Sequence, residues 1–286
     1  MKDLAGKIAL VTGAGSGIGR ATALELAARG MHVAVSDIDA KSAEATAREA
    51  RERGVRALGA ACDVSDRAEV GRMAATVAEA LGPVRLLFAN AGVTSFEALA
   101  EVSDADLDWI VTVNYYGVFN CIRAVLPGMI AAQDGHIAAT ASMAGLVPNW
   151  VSLHVPYVAS KAGIIGLMFN LREELADHGV GTTVLCPGGV ATNILATPTY
   201  RPARFGGPED RVIEKPAAAK SLDMGIAYAR RSPEEVARMT VEAVVANRPI
   251  VVTDGRMRSL FDQYAATVRQ AFDEADLFDR AAATAA

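Results

Sequence analysis

A doubly wound parallel α/β sheet, with helices on both faces, is the fold this sequence predicts, and three observations predict it. Short apolar runs alternate with longer helical patterns along most of the chain, as in successive βαβ units joined by right-handed crossovers. The first apolar run passes through glycines at 13, 15, 17 and 19 directly into a helical pattern. No repeat or linker interrupts the 286 residues, a length within reach of one α/β domain.

The first strand is expected over 7–12, followed by Thr12-Gly13-Ala14-Gly15-Ser16-Gly17-Ile18-Gly19 and a helix over 17–29. Glycines allow a tight turn and let a pyrophosphate approach the free amides and positive end of that helix. A glycine-rich turn alone is a weak signal. Here it lies between a strand and a helix, with a second strand at 32–36, which is the context it requires. Asp37 closes the second strand, where a carboxylate accepts hydrogen bonds from adenosine ribose hydroxyls. A 2′-phosphate would set about −1.5 to −2 charges against it, and no Arg or Lys between Gly13 and Gly19 offsets that repulsion. NAD is therefore expected over NADP, against the alternative of a solvated turn aspartate.

A charged amphipathic helix over 40–53 leads to a third strand at 55–61 and then Cys62-Asp63-Val64. Asp63 stands where it can bond an adenine edge; the alternative is a helix cap, a task that suits Ser65 better. A helix over 66–81 and Gly82-Pro83 precede the fourth strand, 85–89, which Asn90-Ala91-Gly92 ends. Ser103-Asp104-Ala105-Asp106 is similar to a capping box and opens one long helix to about 132. Asn114 falls in its middle among Trp109, Ile110, Val113, Tyr116 and Phe119. A buried amide there needs partners, either a neighbouring backbone carbonyl or a water beside Lys161, and the two are compatible.

The fifth strand, 136–141, ends at Ser142, and the following helix reaches about 178. It carries Tyr157 and Lys161 one turn apart on the same face. A free tyrosine titrates near 10, so it is a poor proton donor or acceptor for an alcohol at neutral pH. A fixed cation favours the phenolate, and moving that value to about 7 needs about 4 kcal/mol at about 1.36 kcal/mol per unit. Lys161 supplies part of this and a cationic nicotinamide ring more. Ser142 offers a hydroxyl to hold a carbonyl oxygen while Tyr157 handles the proton. The constellation suits reversible oxidation of an alcohol, although a Tyr–Lys pair alone is more often a surface pair.

Ala159, Ala162, Gly163 and Gly166 make this helix, with that of Asn114, a candidate subunit interface. The sixth strand, 183–186, leads into Pro187-Gly188-Gly189-Val190-Ala191-Thr192, whose backbone and Thr192 hydroxyl are placed to receive a nicotinamide carboxamide. Residues 193–231 lose periodicity and gain Pro198, Pro202, Gly206, Gly207, Pro208 and Pro216. An irregular segment of that length is usually functional and is expected to be a lid over the substrate. Ser232-Pro233-Glu234-Glu235 is a capping box starting a helix to about 246. A last strand at 249–253 and a helix over 257–272 follow, and 281–286 is expected to fray.

The net charge of −5, with no long basic run, gives nucleic-acid binding no electrostatic support. Cys62, Cys121 and Cys186 are odd in number and widely spaced, as expected of reduced core residues in an intracellular protein. The four histidines show no ligand spacing, so no metal is expected. No apolar stretch has the length of a membrane span or the form of a signal peptide, which predicts a cytoplasmic protein.

With Thr12-Gly13-x-x-x-Gly17-x-Gly19, Asn90-Ala91-Gly92, Asn114, Ser142, Tyr157-x-x-x-Lys161 and Pro187-Gly188 in this order, the chain resembles the short-chain dehydrogenase/reductase family over nearly its whole length. The resemblance implies a single Rossmann-type domain over 1–286 and an Asn114, Ser142, Tyr157, Lys161 tetrad. Tyr157 would be the general acid/base, Ser142 would orient the substrate oxygen, Lys161 would bind the nicotinamide ribose and lower the tyrosine pKa, and Asn114 would hold a proton-relay water. Nucleotide contacts are implied at Gly13, Ser16, Gly17, Ile18, Gly19, Asp37, Asp63, Val64, Asn90, Ala91 and Gly92, and at Tyr157, Lys161, Pro187, Gly188, Val190 and Thr192. A small alcohol or ketone substrate and a homodimer or homotetramer are implied as well.

The chain departs from the family pattern twice. Ala89 stands where the family often has an asparagine. The Ser142–Tyr157 segment, with Asn149, Trp150, Val151, Leu153 and His154, is slightly longer than usual. His154 reads as a surface or structural histidine rather than a substrate contact. Asn193-Ile194, Arg201-Pro202 and the long C-terminal part resemble dehydrogenases of aryl secondary alcohols, such as those acting on lignin-derived compounds, which implies a fairly bulky hydrophobic or aromatic substrate. The alternatives are an NADPH-dependent ketone reductase and a non-catalytic sensor of NAD.

Overall fold

Strands buried on both faces need apolar residues at every position, and β1 (Ile8–Thr12) is buried throughout. In the computed structural model, which describes residues 1, 3–210, 212–218 and 230–285, it begins an alternation of strands and helices. α1 (Gly17–Ala28), β2 (His32–Asp37), α2 (Ala40–Arg51), β3 (Ala57–Ala61), α3 (Arg67–Ala80) and β4 (Val84–Ala89) make the first half. The second half runs α4 (Asp104–Val111), α5 (Gly117–Ala132), β5 (Gly135–Thr140), the short α6 (Met143–Leu146), α7 (Val155–Glu174), β6 (Val180–Cys186), α8 (Pro233–Val245), β7 (Ile250–Val252) and α9 (Arg258–Ala285).

The seven strands lie in the order β3-β2-β1-β4-β5-β6-β7, all parallel, as the sequence predicts. The order reverses beside β1, which pairs with both β2 and β4, and ligands of such sheets bind at the carboxyl ends of the strands there. Alternate side chains divide the core. Leu10, Leu87, Ile137 and Val184 pack with α3, α5 and α7, while Val11, Phe88, Ala138 and Leu185 pack with α1, α2 and α8.

The helix expected to run unbroken to 132 is instead α4 and α5 joined by a π-helical turn, Thr112–Tyr116, which contains Asn114. The turn inserts one residue without breaking the rod, so hydrophobic spacing carries little trace of it. The N-cap of α3 is Asp66, whose carboxylate accepts from the amides of Ala68 (2.8 Å) and Glu69 (2.9 Å). Ser65 is not the cap, because its hydroxyl is turned to Asp63. β3 starts two residues later than expected and β6 three earlier. In β6 the buried Thr182 and Thr183 bond to backbone carbonyls of Met168 and Arg248, so polar residues extend the strand. α7 stops at Glu174 and a 3-10 turn covers Ala176–His178. Over Gly163 lies the ring of Tyr115, so that part of the small-residue stripe is filled from within the chain.

α9 overruns the expected end at 272 and continues through most of the tail expected to fray. No glycine or proline stands in it, and alanines favour its continuation. The segment expected to be a lid is tied down at several of its described residues. Its two ends are bridged by Ala191 N–H to Arg231 O (3.0 Å) and Arg231 N–H to Gly189 O (3.0 Å). Within it, Ile194–Tyr200 and Ala203–Phe205 are 3-10 turns. Buried Arg201 pairs with Asp106 and Glu209, each at 2.8 Å, and lies over the Trp109 ring, which pins the segment to α4. The lid's residues 211 and 219–229, and residue 286 of the tail, lie outside the described residues.

Candidate functional site

The carboxyl ends of the strands open into a cavity of about 1010 Å³. Gly13, Ser16, Gly17 and Ile18 line it from the β1–α1 turn. Ser16 is the N-cap of α1, yet its side chain makes no capping bond, which leaves the first amides of the helix to a ligand. Gly19 does not line the cavity. A Cβ there would stand 2.2 Å from the Gly13 carbonyl oxygen and 2.6 Å from Asn90 Nδ2, so its task is to close the turn. Asn90 staples three strand ends: Nδ2 donates to the carbonyls of Thr12 (3.1 Å) and Gly13 (3.2 Å), and Oδ1 accepts from the Thr140 hydroxyl (3.0 Å). The strand end is thus held despite alanine at position 89.

Asp37, Asp63 and Val64 line the same cavity. Burial raises the Asp37 carboxyl above its usual range, opposed by the amides of Asp39 and Gly15 that donate to it at 3.0 and 2.9 Å. The Asp63 carboxylate accepts from Ser65 and pairs with Arg204 of the Ala203–Phe205 turn, so its oxygens already have partners. Ala91 and Gly92 follow on the wall, with Pro187, Gly188, Val190 and Thr192 from the loop after β6.

Tyr157 and Lys161 line the cavity from the first turns of α7, with the Lys161 ammonium 5.7 Å from the tyrosine ring centroid. Nζ donates to the Thr140 carbonyl at 2.9 Å. Burial lowers the ammonium to about 8, so it keeps its charge at neutral pH. Asn114 is buried behind the surface and grips one residue twice: Oδ1 accepts from Val93 N–H (2.8 Å) and Nδ2 donates to Val93 O (2.9 Å). The backbone partner expected of it is present, and Nδ2 also donates to the Ser160 hydroxyl at 3.3 Å. A Cβ on Gly92 would lie 3.2 Å from Asn114 Oδ1 and 3.3 Å from Lys161 Nζ, so glycine is what lets these side chains converge. Ser142 caps α6, accepting from Ala144 N–H at 3.1 Å, and sits just behind the cavity wall formed by Ala141 and Ala144. Burial pushes the nearby Cys186 thiol up to about 12, leaving it neutral.

His154 is not a surface residue. It is buried, lines the cavity, and lies between the rings of Phe96 (centroids 4.1 Å apart) and Tyr157 (4.3 Å). Nδ1 bonds the Ser95 carbonyl, which can only accept, so that nitrogen carries the proton and Nε2 is left as an acceptor. Burial lowers the imidazole to about 4 and keeps it neutral at pH 7. Phe96 and Trp109, which sequence reasoning did not assign to the site, complete an aromatic wall with Trp150 and Tyr200. Trp109 has the helical spacing of a core residue and Phe96 lies in an aperiodic stretch, so neither carried a signal.

Residues 7–200 match the family described as short chain dehydrogenase. The chain belongs to the short-chain dehydrogenases. This member of that oxidoreductase family is 35% identical, over 208 residues, to the C alpha-dehydrogenase of Sphingobium sp. strain SYK-6, a match spanning 72% of this chain and 68% of that protein. It is also 35% identical over 249 residues to the glycine betaine reductase ATRR of Emericella nidulans. That match takes in 86% of this chain, which spans only 19% of the relative's length. The fold superposes with a TM-score of 0.81 on a short chain dehydrogenase/reductase from Burkholderia phymatum in complex with NAD, at 33% identity, covering 97% of this chain and 96% of that one. No helix among the described residues is long and apolar enough to cross a membrane.

Proposed function

We propose that this short-chain dehydrogenase uses NAD to interconvert a secondary alcohol and its ketone by hydride transfer, on a fairly bulky hydrophobic or aromatic substrate. The observation that carries the reading is Tyr157 beside the buried charge of Lys161 in a cavity that Asp37 also lines. The residues present fit a dinucleotide: open helix amides for a pyrophosphate, Asp37 for a ribose diol, and the loop from Pro187 to Thr192 for a carboxamide. When bound, that group supplies the hydride donor or acceptor.

Tyr157 exchanges the proton of the substrate oxygen. The ammonium of Lys161 favours the phenolate and brings the exchange nearer neutral pH. Ser142, whose oxygen accepts from Ala144, keeps its hydroxyl proton to donate to the substrate oxygen. Asn114 fixes the Val93 backbone beside Lys161 and, on the family pattern, holds a proton-relay water. The aromatic wall favours a bulky apolar substrate. A homodimer or homotetramer in the cytoplasm belongs to the same reading, with exposed Tyr116 and Phe169 near the α5–α7 face.

The test is NADH formation by the purified protein with secondary alcohols from small aliphatic to bulky aryl, NAD and NADP in parallel. Turnover is expected with NAD and the larger alcohols. Asp37→Ser should shift kcat/KM toward NADP by about 10- to 100-fold, since about 1.4 kcal/mol is tenfold. Bound NAD with no turnover across the panel, or a wild-type preference for NADP, would overturn the reading.

A further inference from the structure

His154 is the N-cap residue of α7 and stands one turn before Tyr157. Its ring is held on three sides. Phe96 lies against one face and Tyr157 against the other, at interplanar angles of 6° and 23°, and the Ser95 carbonyl accepts from Nδ1. The ring can neither leave its slot nor turn over without giving up that bond. Its second nitrogen, Nε2, therefore has a fixed direction, in the ring plane and nearly parallel to the tyrosine ring.

A second buried histidine shows what distinguishes this atom. At His136, Nε2 bonds the Thr183 hydroxyl and Nδ1 is sealed in the interior without a partner. At His154 no described residue bonds Nε2, yet the atom is not sealed, and the opening it meets is the cavity that His154 lines. Burial keeps the imidazole neutral at pH 7, so the lone pair on Nε2 stays available. Water can serve such an acceptor while the cavity holds no substrate. A hydrophobic substrate that fills the cavity expels the water and leaves the nitrogen unpaired, which costs affinity; a substrate hydroxyl aimed at it restores the bond.

We propose that His154 Nε2 accepts a hydrogen bond from a hydroxyl of the substrate other than the one that is oxidised. Resting on the alcohol–ketone reaction proposed above, this narrows the substrate to a secondary alcohol, or its ketone, that carries a second hydroxyl. That hydroxyl lies close to the reacting carbon, because the imidazole is stacked on the ring of Tyr157. It is either aliphatic, on a neighbouring carbon, or phenolic. His154 thereby determines specificity, while Tyr157 keeps the proton transfer.

The experiment is calorimetric titration of the full chain, saturated with oxidised NAD, with propiophenone, α-hydroxyacetophenone and para-hydroxypropiophenone. In the second ketone a hydroxyl replaces the terminal methyl of the first; in the third it stands on the ring. Oxidised NAD cannot reduce a ketone, so binding is read without turnover. If NAD does not bind, the same titrations of the chain alone give the ratios, and failure of the dehydrogenase reading leaves this test standing. Wild type should bind at least one hydroxy ketone about tenfold more tightly than propiophenone. His154→Phe keeps the stack without the acceptor, and His154→Asn keeps a donor for Ser95 without reaching the Nε2 position; both should bring the ratio to within about twofold. A role confined to holding the wall would shift all three ketones together and leave the ratio unchanged. Circular dichroism confirms the fold of each variant; if one does not fold the other decides, and if neither folds the wild-type ratio decides. Near-equal affinities in the wild type, or a tenfold preference that survives in a folded variant, overturn the inference.

Discussion

The side of the cavity proposed for the nucleotide is lined largely by backbone: the turn between β1 and α1 and the start of α1, with one carboxylate at the end of β2. The side proposed for the substrate is lined by side chains from distant segments, among them Phe96, Trp109, Trp150, His154 and Tyr200. The first half is specified by contiguous residues with particular φ/ψ and spacing needs. The second exists only when the segment around Tyr200 and Arg201, α4 and the loop before α7 have been brought together, with Arg201, Asp106 and Trp109 as one of the fastenings. One family can therefore keep the first and vary the second.

Substitutions can break or sharpen this contrast. The largest effect is expected where the halves meet: Tyr157→Phe should lower kcat by about 1,000-fold while nucleotide affinity holds. Near-normal turnover would sink the proposed mechanism. Gly19→Ala, on the backbone-built side, should raise the NAD dissociation constant on the order of 100-fold by displacing the turn, because the new methyl meets the Gly13 carbonyl at 2.2 Å. Tight binding by that variant would show that the turn tolerates rearrangement.

Lys161 links the halves through its charge. Burial lowers it to about 8, against about 10.4 in an unfolded chain. From pH 8 to 10 the folded state releases a proton that the unfolded state still holds, so the group adds stability as pH rises through that window and removes it as pH falls. Denaturation of wild type and Lys161→Met at pH 7, 8.5 and 10 should show the wild type gaining on the variant. A difference that stays flat would place the lysine in a more solvated setting.

Smaller effects are expected on the substrate wall. His154→Phe keeps a ring between Phe96 and Tyr157 but loses the bond to Ser95, which should raise KM about five- to tenfold. The pH profile should keep its shape from 5 to 8, since an imidazole titrating near 4 is already neutral there. A lost inflection would mean that His154 titrates during turnover. The smallest effect is a control: Gly71→Ala, in α3 with nothing within 4 Å of the new methyl, should stabilise the fold by about 0.5–1 kcal/mol.

The chain's residues by themselves determined the order of strands and helices, because short buried runs and amphipathic periods are local facts. They also determined the glycine turn, Asp37 and the Tyr157–Lys161 spacing, since each needs only neighbours within a turn or a strand end. Tertiary structure decided the rest. The π-helical turn at Asn114 shifts hydrogen bonds by one residue without changing the apolar pattern, and Asp66 displaced Ser65 as a cap because Asp63 had already engaged the serine hydroxyl. His154 reads alike as a surface or a buried histidine until Phe96, far away in sequence, closes over it. Contacts between residues distant along the chain depend on how the elements pack, and no local pattern carries that information.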